Sequence, residues 1–336
     1  MENFEPILPI FDEEYIKFQK EKAAVKKTAG FVGLSFIILM VLPYFLTTML
    51  TNLLRAFGLS SQEAAALFSE PMFLTVINIF VSIIVFTLPF SIILFGEHLK
   101  LPQIVSFKKP NKEFFAPLVL ICIGVSAFAN VVANMLSGLF NSVGIPVTAP
   151  DFDTPKGVLG FIVTFLCIAI TPALVEELAM RGIVLGSLKR YGKGFAVGVS
   201  SILFGMMHGN LSQIPFAFIL GIAIGIAVIK TDSIWTGVLI HFINNAVSVI
   251  LDAIITKTES TQVLAFINSL YFALCILAFF VGVYLLKGKT KEIFEFDEGN
   301  STINLNQKLK WFFSSPAIIV SIVLTAVECI LALFIC

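Results

Sequence analysis

The chain has 336 residues, 57% hydrophobic and only 13% charged, with a mean hydropathy of +0.96. A soluble domain carries about a quarter charged residues, so the length belongs to membrane spans rather than soluble domains. The 22 basic and 22 acidic side chains cancel, leaving no electrostatic footprint for nucleic acid.

In chain order, the opening segment 1–29 is polar and charged. The apolar run after it is too long for the h-region of a cleavable signal, so it is expected to remain as an anchor. Runs long enough to cross, at about 20 residues per span, begin near residues 30, 72, 114, 157, 194, 213, 234, 264 and 316. This predicts an all-α polytopic membrane protein of eight to nine transmembrane helices with its active site inside the helix bundle. The segments near 194 and 213 are short. Four parts follow: a cytoplasmic N-terminal segment (1–29), N-terminal transmembrane helices (30–155), a core carrying the buried polar groups (156–256) and C-terminal transmembrane helices (257–336). No internal repeat is visible.

Alternating the spans from a cytoplasmic N-terminus puts eighteen basic residues inside and three outside, namely Arg55, Lys156 and Lys257, with Arg181 left in the membrane. That is the asymmetry of the positive-inside rule. It predicts a multi-pass protein with an external C-terminus, placed in a bacterial plasma membrane because no organelle signal is present. The five cysteines (Cys122, Cys167, Cys275, Cys329, Cys336) lie in or beside apolar runs with no CxxC pair, so neither a disulfide framework nor a zinc knuckle is indicated. Cys336 is last, so the chain does not itself end in a CaaX box.

Ionisable groups at membrane depth are costly and raise a functional question. VEELAMRG (175–182) puts Glu176, Glu177 and Arg181 into an apolar run, while His208 (FGMMH) and His241 (HFINN) lie in two others. At 1.5 Å per residue, Glu176 is about 20 Å from Lys189, His241 about 13 Å from Asp232 and His208 about 22 Å from Lys193. The hydrocarbon core is about 30 Å thick, so three helices bring them to mid-membrane levels. Glu177 and Arg181 are i,i+4 and share a face; Glu176 is turned about 100° away, toward a cavity. His241 and Asn245 are also i,i+4, and Phe204 can lie against the His208 ring. Pro172 denies the helix a donor and kinks it just before the two glutamates.

The bland readings are a structural Glu177–Arg181 pair and a His208 interhelical hydrogen bond. Elsewhere they prevail: Asn78, Asn130 and Asn134 as interhelical glue, Glu328 snorkelling toward the external end, Asp232 and Asp252 near span ends, His98 interfacial, and the 35 phenylalanines as lipid-facing bulk.

A desolvated carboxylate beside a histidine can activate water, and a second histidine with an amide can donate to an oxyanion. That suffices for peptide hydrolysis without a covalent nucleophile. Glu176, His208 and His241 could instead hold zinc, although HExxH is absent. EELAMR (176–181), FGMMH (204–208) and HFINN (241–245) resemble the EExxxR, FxxxH and HxxxN motifs of the CAAX protease and bacteriocin-processing (CPBP, or Abi) family of intramembrane proteases, in the family's order. The resemblance covers about 155 to 250. It implies that Glu176 activates water with His208, that Glu177 and Arg181 support the site, and that His241 and Asn245 stabilise the oxyanion. The family admits zinc-dependent and metal-free glutamate mechanisms; the metal-free one is preferred here, with no cofactor. The implied partners are a membrane-associated peptide or protein, lipidated or bacteriocin-like, and the bilayer. A transporter or ion carrier using the buried set as a relay, and a non-catalytic scaffold, are the competing classes.

Overall fold

The computed structural model describes residues 13–148, 153–296 and 301–335; residues 1–12 of the N-terminal segment, 149–152, 297–300 and the chain-ending Cys336 lie outside the described residues. Nine principal helices follow in order: α1 (Glu13–Ala56), α2 (Pro71–Gly96), α3 (Lys112–Ser142), α4 (Gly157–Tyr191, whose pitch varies), α5 (Lys193–Met206), α6 (Ile214–Thr231), α7 (Ile234–Ile255), α8 (Thr261–Leu285) and α9 (Pro316–Ile335). Among the described residues, eight of these are long and apolar enough to cross a membrane, while α5, at 14 residues, is not. At 44 residues α1 is about 66 Å long, twice the hydrocarbon thickness, so it is longer than one crossing requires.

Small residues set the close crossings, as expected where lipid offers helices no hydrophobic drive to associate. A Cβ added to Gly33 of α1 would lie 2.5 Å from the Ala317 carbonyl carbon of α9, and one on Gly282 of α8 would lie 2.7 Å from the Pro117 oxygen of α3. The phenylalanines divide. Phe45, Phe80 and Phe266 are exposed as lipid-facing bulk, but Phe36, Phe90, Phe195, Phe204 and Phe312 fill the core, correcting the reading of all of them as surface. Asn78, Asn130 and Asn134 are also corrected. All three are exposed and have no hydrogen bond within the described residues. On α3 the packed side is formed by Ala127, Ala129 and Ala133, which turns the asparagine face outward.

The loops expected on one side do meet at one end, here called the lysine-rich end. Asn111 N–H donates to the Thr231 carbonyl (2.9 Å), Ile234 N–H to Ser106 (2.9 Å) and Lys230 Nζ to the Glu295 carbonyl (2.6 Å). Arg190 binds both Glu97 (2.6 Å) and Thr28 (2.8 Å). Glu21 accepts from the Thr302 N–H and hydroxyl, and Lys289 pairs with Glu113. One hydrogen-bonded surface therefore joins the start of α1 to the loops after α2, α4, α6 and α8.

Candidate active site

The helix that carries the two glutamates is irregular where they sit. In α4, π turns at Leu166–Ile170 and Leu178–Val184 flank the α-helical turns Thr171–Glu177. Pro172 supplies the local cause of the first, having no N–H and crowding the turn before it. Such π bulges concentrate at functional sites. The Ile168 carbonyl, four residues before Pro172, is denied its α-helical donor and instead accepts Asn245 Nδ2–H from α7 at 2.9 Å. A backbone group at membrane depth has to be satisfied from within the protein, and here an asparagine does it. The Asn245 Oδ1 in turn accepts from Asn244 at 3.0 Å.

One turn away, Glu177 is wholly buried and Arg181 is 2% exposed. Glu177 Oε1 accepts from Arg181 Nη1 at 2.8 Å and from His241 Nδ1 at 2.9 Å. The i,i+4 pairing expected from the sequence is thus present, and His241 joins it from α7. Gly237, one turn before His241, permits this: a Cβ there would sit 2.8 Å from Glu177 Oε2 and 2.8 Å from a Val228 methyl. Arg181 Nη2 also donates to the Gly221 carbonyl of α6 at 3.3 Å. Glu177 Oε2 and Arg181 Nε are left without a partner.

Phe204 is the centre of the cluster. The Arg181 guanidinium carbon lies 4.0 Å from its ring centroid. The His208 and His241 rings meet the same phenyl edge-on, at centroid distances of 5.2 Å and 5.9 Å. Three polar groups, from α4, α7 and the stretch after α5, therefore pack around one aromatic ring, which contributes cation–π and edge-to-face attraction. Glu176 is partly buried, interacts electrostatically with His241, Glu177 and Arg181, and has no hydrogen-bond partner among the described residues.

His208 lies just past the end of α5, in the irregular stretch 207–213. Its Nδ1–H donates to the Phe204 carbonyl at 2.8 Å, which fixes the tautomer and leaves Nε2 as an acceptor. Asn210 ties the turn together: its Nδ2 donates to the His208 carbonyl (2.8 Å) and to Gln213 Oε1 (2.7 Å), while its Oδ1 accepts from Ser212 (2.7 Å) and the Gln213 N–H (2.9 Å). Gly209 has φ +63, and a Cβ on it would lie 2.8 Å from Glu328 Oε2 of α9. Glu328 thus turns inward onto the histidine-bearing loop rather than snorkelling to the helix end. The sequence reading missed this contact, the Glu177–His241 bond and the wedge-shaped space at Gly237. The only signals were a glycine one turn before His241 and an asparagine two residues after His208.

Among the described residues, no three His, Cys, Asp or Glu side chains form a group able to hold a metal ion. The Nδ1 atoms of both histidines are engaged in hydrogen bonds, which leaves Nε2 as the remaining ring nitrogen of each.

Residues 158–247 match the family model described as type II CAAX prenyl endopeptidase Rce1-like. They form a CAAX-protease domain. The domain contains Glu176, Glu177, Arg181, His208, His241 and Asn245, and its family makes this membrane protein a protease, a hydrolase of peptide bonds. No curated protein and no solved structure matches the chain.

Proposed function

We propose that the chain is an intramembrane endopeptidase that cleaves a membrane-associated substrate with a water molecule activated by Glu176 and His208, and that 156–256 is its catalytic core. The observation that carries this reading is the gathering of His208, His241 and Arg181 around Phe204, with the unpartnered Glu176 carboxylate beside them.

The hydrogen bonds of His208, His241 and Asn245 support the following roles. His208 Nε2 accepts one O–H of the water, and Glu176 removes the other proton as the oxygen attacks the scissile carbonyl carbon. Glu176 then delivers that proton to the leaving nitrogen as the C–N bond breaks. His241 donates to Glu177 through Nδ1–H; to donate to the oxyanion from Nε2 as well, it must carry both protons, and the Glu177 carboxylate supplies the counter-charge. Arg181 holds Glu177 in place. The second N–H of the Asn245 amide is the further oxyanion donor. The substrate is a lipidated or bacteriocin-like peptide, and the protein sits in a bacterial plasma membrane with its lysine-rich end in the cytoplasm.

The test is cleavage of peptide and lipopeptide libraries by the purified chain in nanodiscs. Glu176→Gln and His208→Ala are each expected to lower the rate at least about 100-fold, the lower range for loss of a general base, and chelation is expected to leave it unchanged. Wild-type rates in both variants remove the assignment.

A further inference from the structure

A cavity of about 180 Å³ opens at the lysine-rich end between α4, α6 and the segment after α2. Its polar lining is Arg181, Lys189, Lys193, Ser106, Asp232 and Ser233. A second cavity of about 410 Å³ shares Ser106, Lys189 and Asp232 with it and adds Lys108, so the two form one cleft.

The walls are built and fixed. The Ser106 hydroxyl donates to the Asp232 carbonyl and the Ser233 hydroxyl to the Lys108 carbonyl, both at 2.7 Å. Gly186 lets α4 close against this wall, since a Cβ there would lie 2.8 Å from the Ile104 carbonyl oxygen. The charges are unbalanced. Lys108, Lys189, Lys193 and Arg181 face three carboxylates: Asp232 pairs with Lys108 at 3.8 Å and also acts on Lys189, and Glu177 pairs with Arg181, on which Glu176 also acts. Lys189 and Lys193 have no ion-pair or hydrogen-bond partner within the described residues. Arg181, 2% exposed, lines the inner end, and its Nε is unsatisfied. A buried unpaired donor on the wall of a basic cavity is a feature that an anion would complete.

We infer that this cleft binds a phosphate group, held by the Lys189 and Lys193 ammonium groups with Arg181 behind them. Ammonium groups on flexible stems are point-charge phosphate binders. Lys189 stands at the end of the membrane-spanning α4 and Lys193 at the start of the adjoining α5, the level of lipid headgroups, where basic pockets between helices take anionic heads. The site is separate from the water-activating groups and touches them only through Arg181, so a bound phosphate lies one side chain from the Glu177–His241 pair.

The test is native mass spectrometry of the purified full chain in neutral detergent, titrated with dioctanoyl phosphatidylglycerol or with dioctanoylglycerol, which lacks the phosphate. Retention of the phospholipid alone is expected, weakened roughly fivefold for each lysine removed and about thirtyfold in K189Q/K193Q, with Lys257→Gln at the opposite end unchanged. Equal retention by wild type and K189Q/K193Q, or equal retention of the two lipids, overturns the site. Competition by inorganic phosphate separates the sources. Displacement of the lipid at low millimolar concentration assigns the same pocket to the soluble ion, and its absence assigns it to the headgroup. Since the readout is binding, the result is independent of whether Glu176 is a catalytic base.

Discussion

Asn245 serves the backbone of α4 through one amide N–H, given to the Ile168 carbonyl at 2.9 Å, and on the proposed mechanism serves the oxyanion through the other. A double-mutant cycle separates the two. Asn245→Ala leaves a carbonyl unpaired in a dry setting, which costs about 1–3 kcal/mol. Pro172→Ala returns a main-chain N–H at the position that an α-helix would use. The expected outcome is that P172A/N245A melts close to wild type in nanodiscs while its cleavage rate stays as low as that of N245A. A double variant no more stable than N245A rejects the backbone role, and one with full activity rejects the oxyanion role. Comparison with the sequence shows which side-chain relations can be read in advance. Glu177 and Arg181 were legible as a pair because both lie on one helix at fixed spacing. The bond from His241 to Glu177 was not, because it depends on how closely α7 approaches α4, and that distance is set by the missing side chain of Gly237.

Among the helices, the starts near 157, 194, 213, 234 and 316 were legible because each apolar run is bounded by a charge, proline or glycine, and the structure begins α4 to α7 and α9 within a residue of them. Which face each helix buries was less legible. Asn130 and Asn134 share a face by spacing, but only the packing of the neighbouring Ala127, Ala129 and Ala133 decides that this face points outward. The same limit hid the function of α9, whose Glu328 reaches the loop holding His208. Gly209 sits between them in a left-handed conformation, φ +63, where a Cβ also meets the Glu328 carboxylate. Gly209→Ala therefore carries two costs: about 1–2 kcal/mol for the backbone and a steric one against Glu328. Glu328→Ala placed on the G209A background removes the second alone. G209A is expected to lower both melting temperature and cleavage, with G209A/E328A recovering part of each. If the second substitution leaves G209A unchanged in both measurements, α9 does not bear on the histidine loop.

For the molecule as a whole, the distribution of charge makes a geometric statement. The segments that the lysine count places on one side are hydrogen-bonded to one another at one end, through Asn111 and Thr231, Lys230 and Glu295, Arg190 and Glu97, and Glu21 and Thr302. Adding or removing one crossing between α1 and α8 would put some of those partners on opposite faces of the bilayer, so an odd number of crossings between Glu21 and Thr302 is incompatible with these bonds. The short α5 counts as a crossing in this sense. Although it has only 14 residues, it returns the chain from Lys193 to the level of His208, and α6 then brings it back to Lys230. The prediction is tested in inside-out and right-side-out vesicles with single cysteines in a background lacking the native ones. Lys109→Cys and Ser301→Cys are expected to react with an impermeant maleimide from the cytoplasmic face only, and Ser60→Cys and Thr258→Cys from the outer face only. Labelling of Lys109→Cys and Ser60→Cys from the same face breaks the alternation at α2. It would also separate the lysine-rich end from the membrane surface that the positive-inside rule assigns to it.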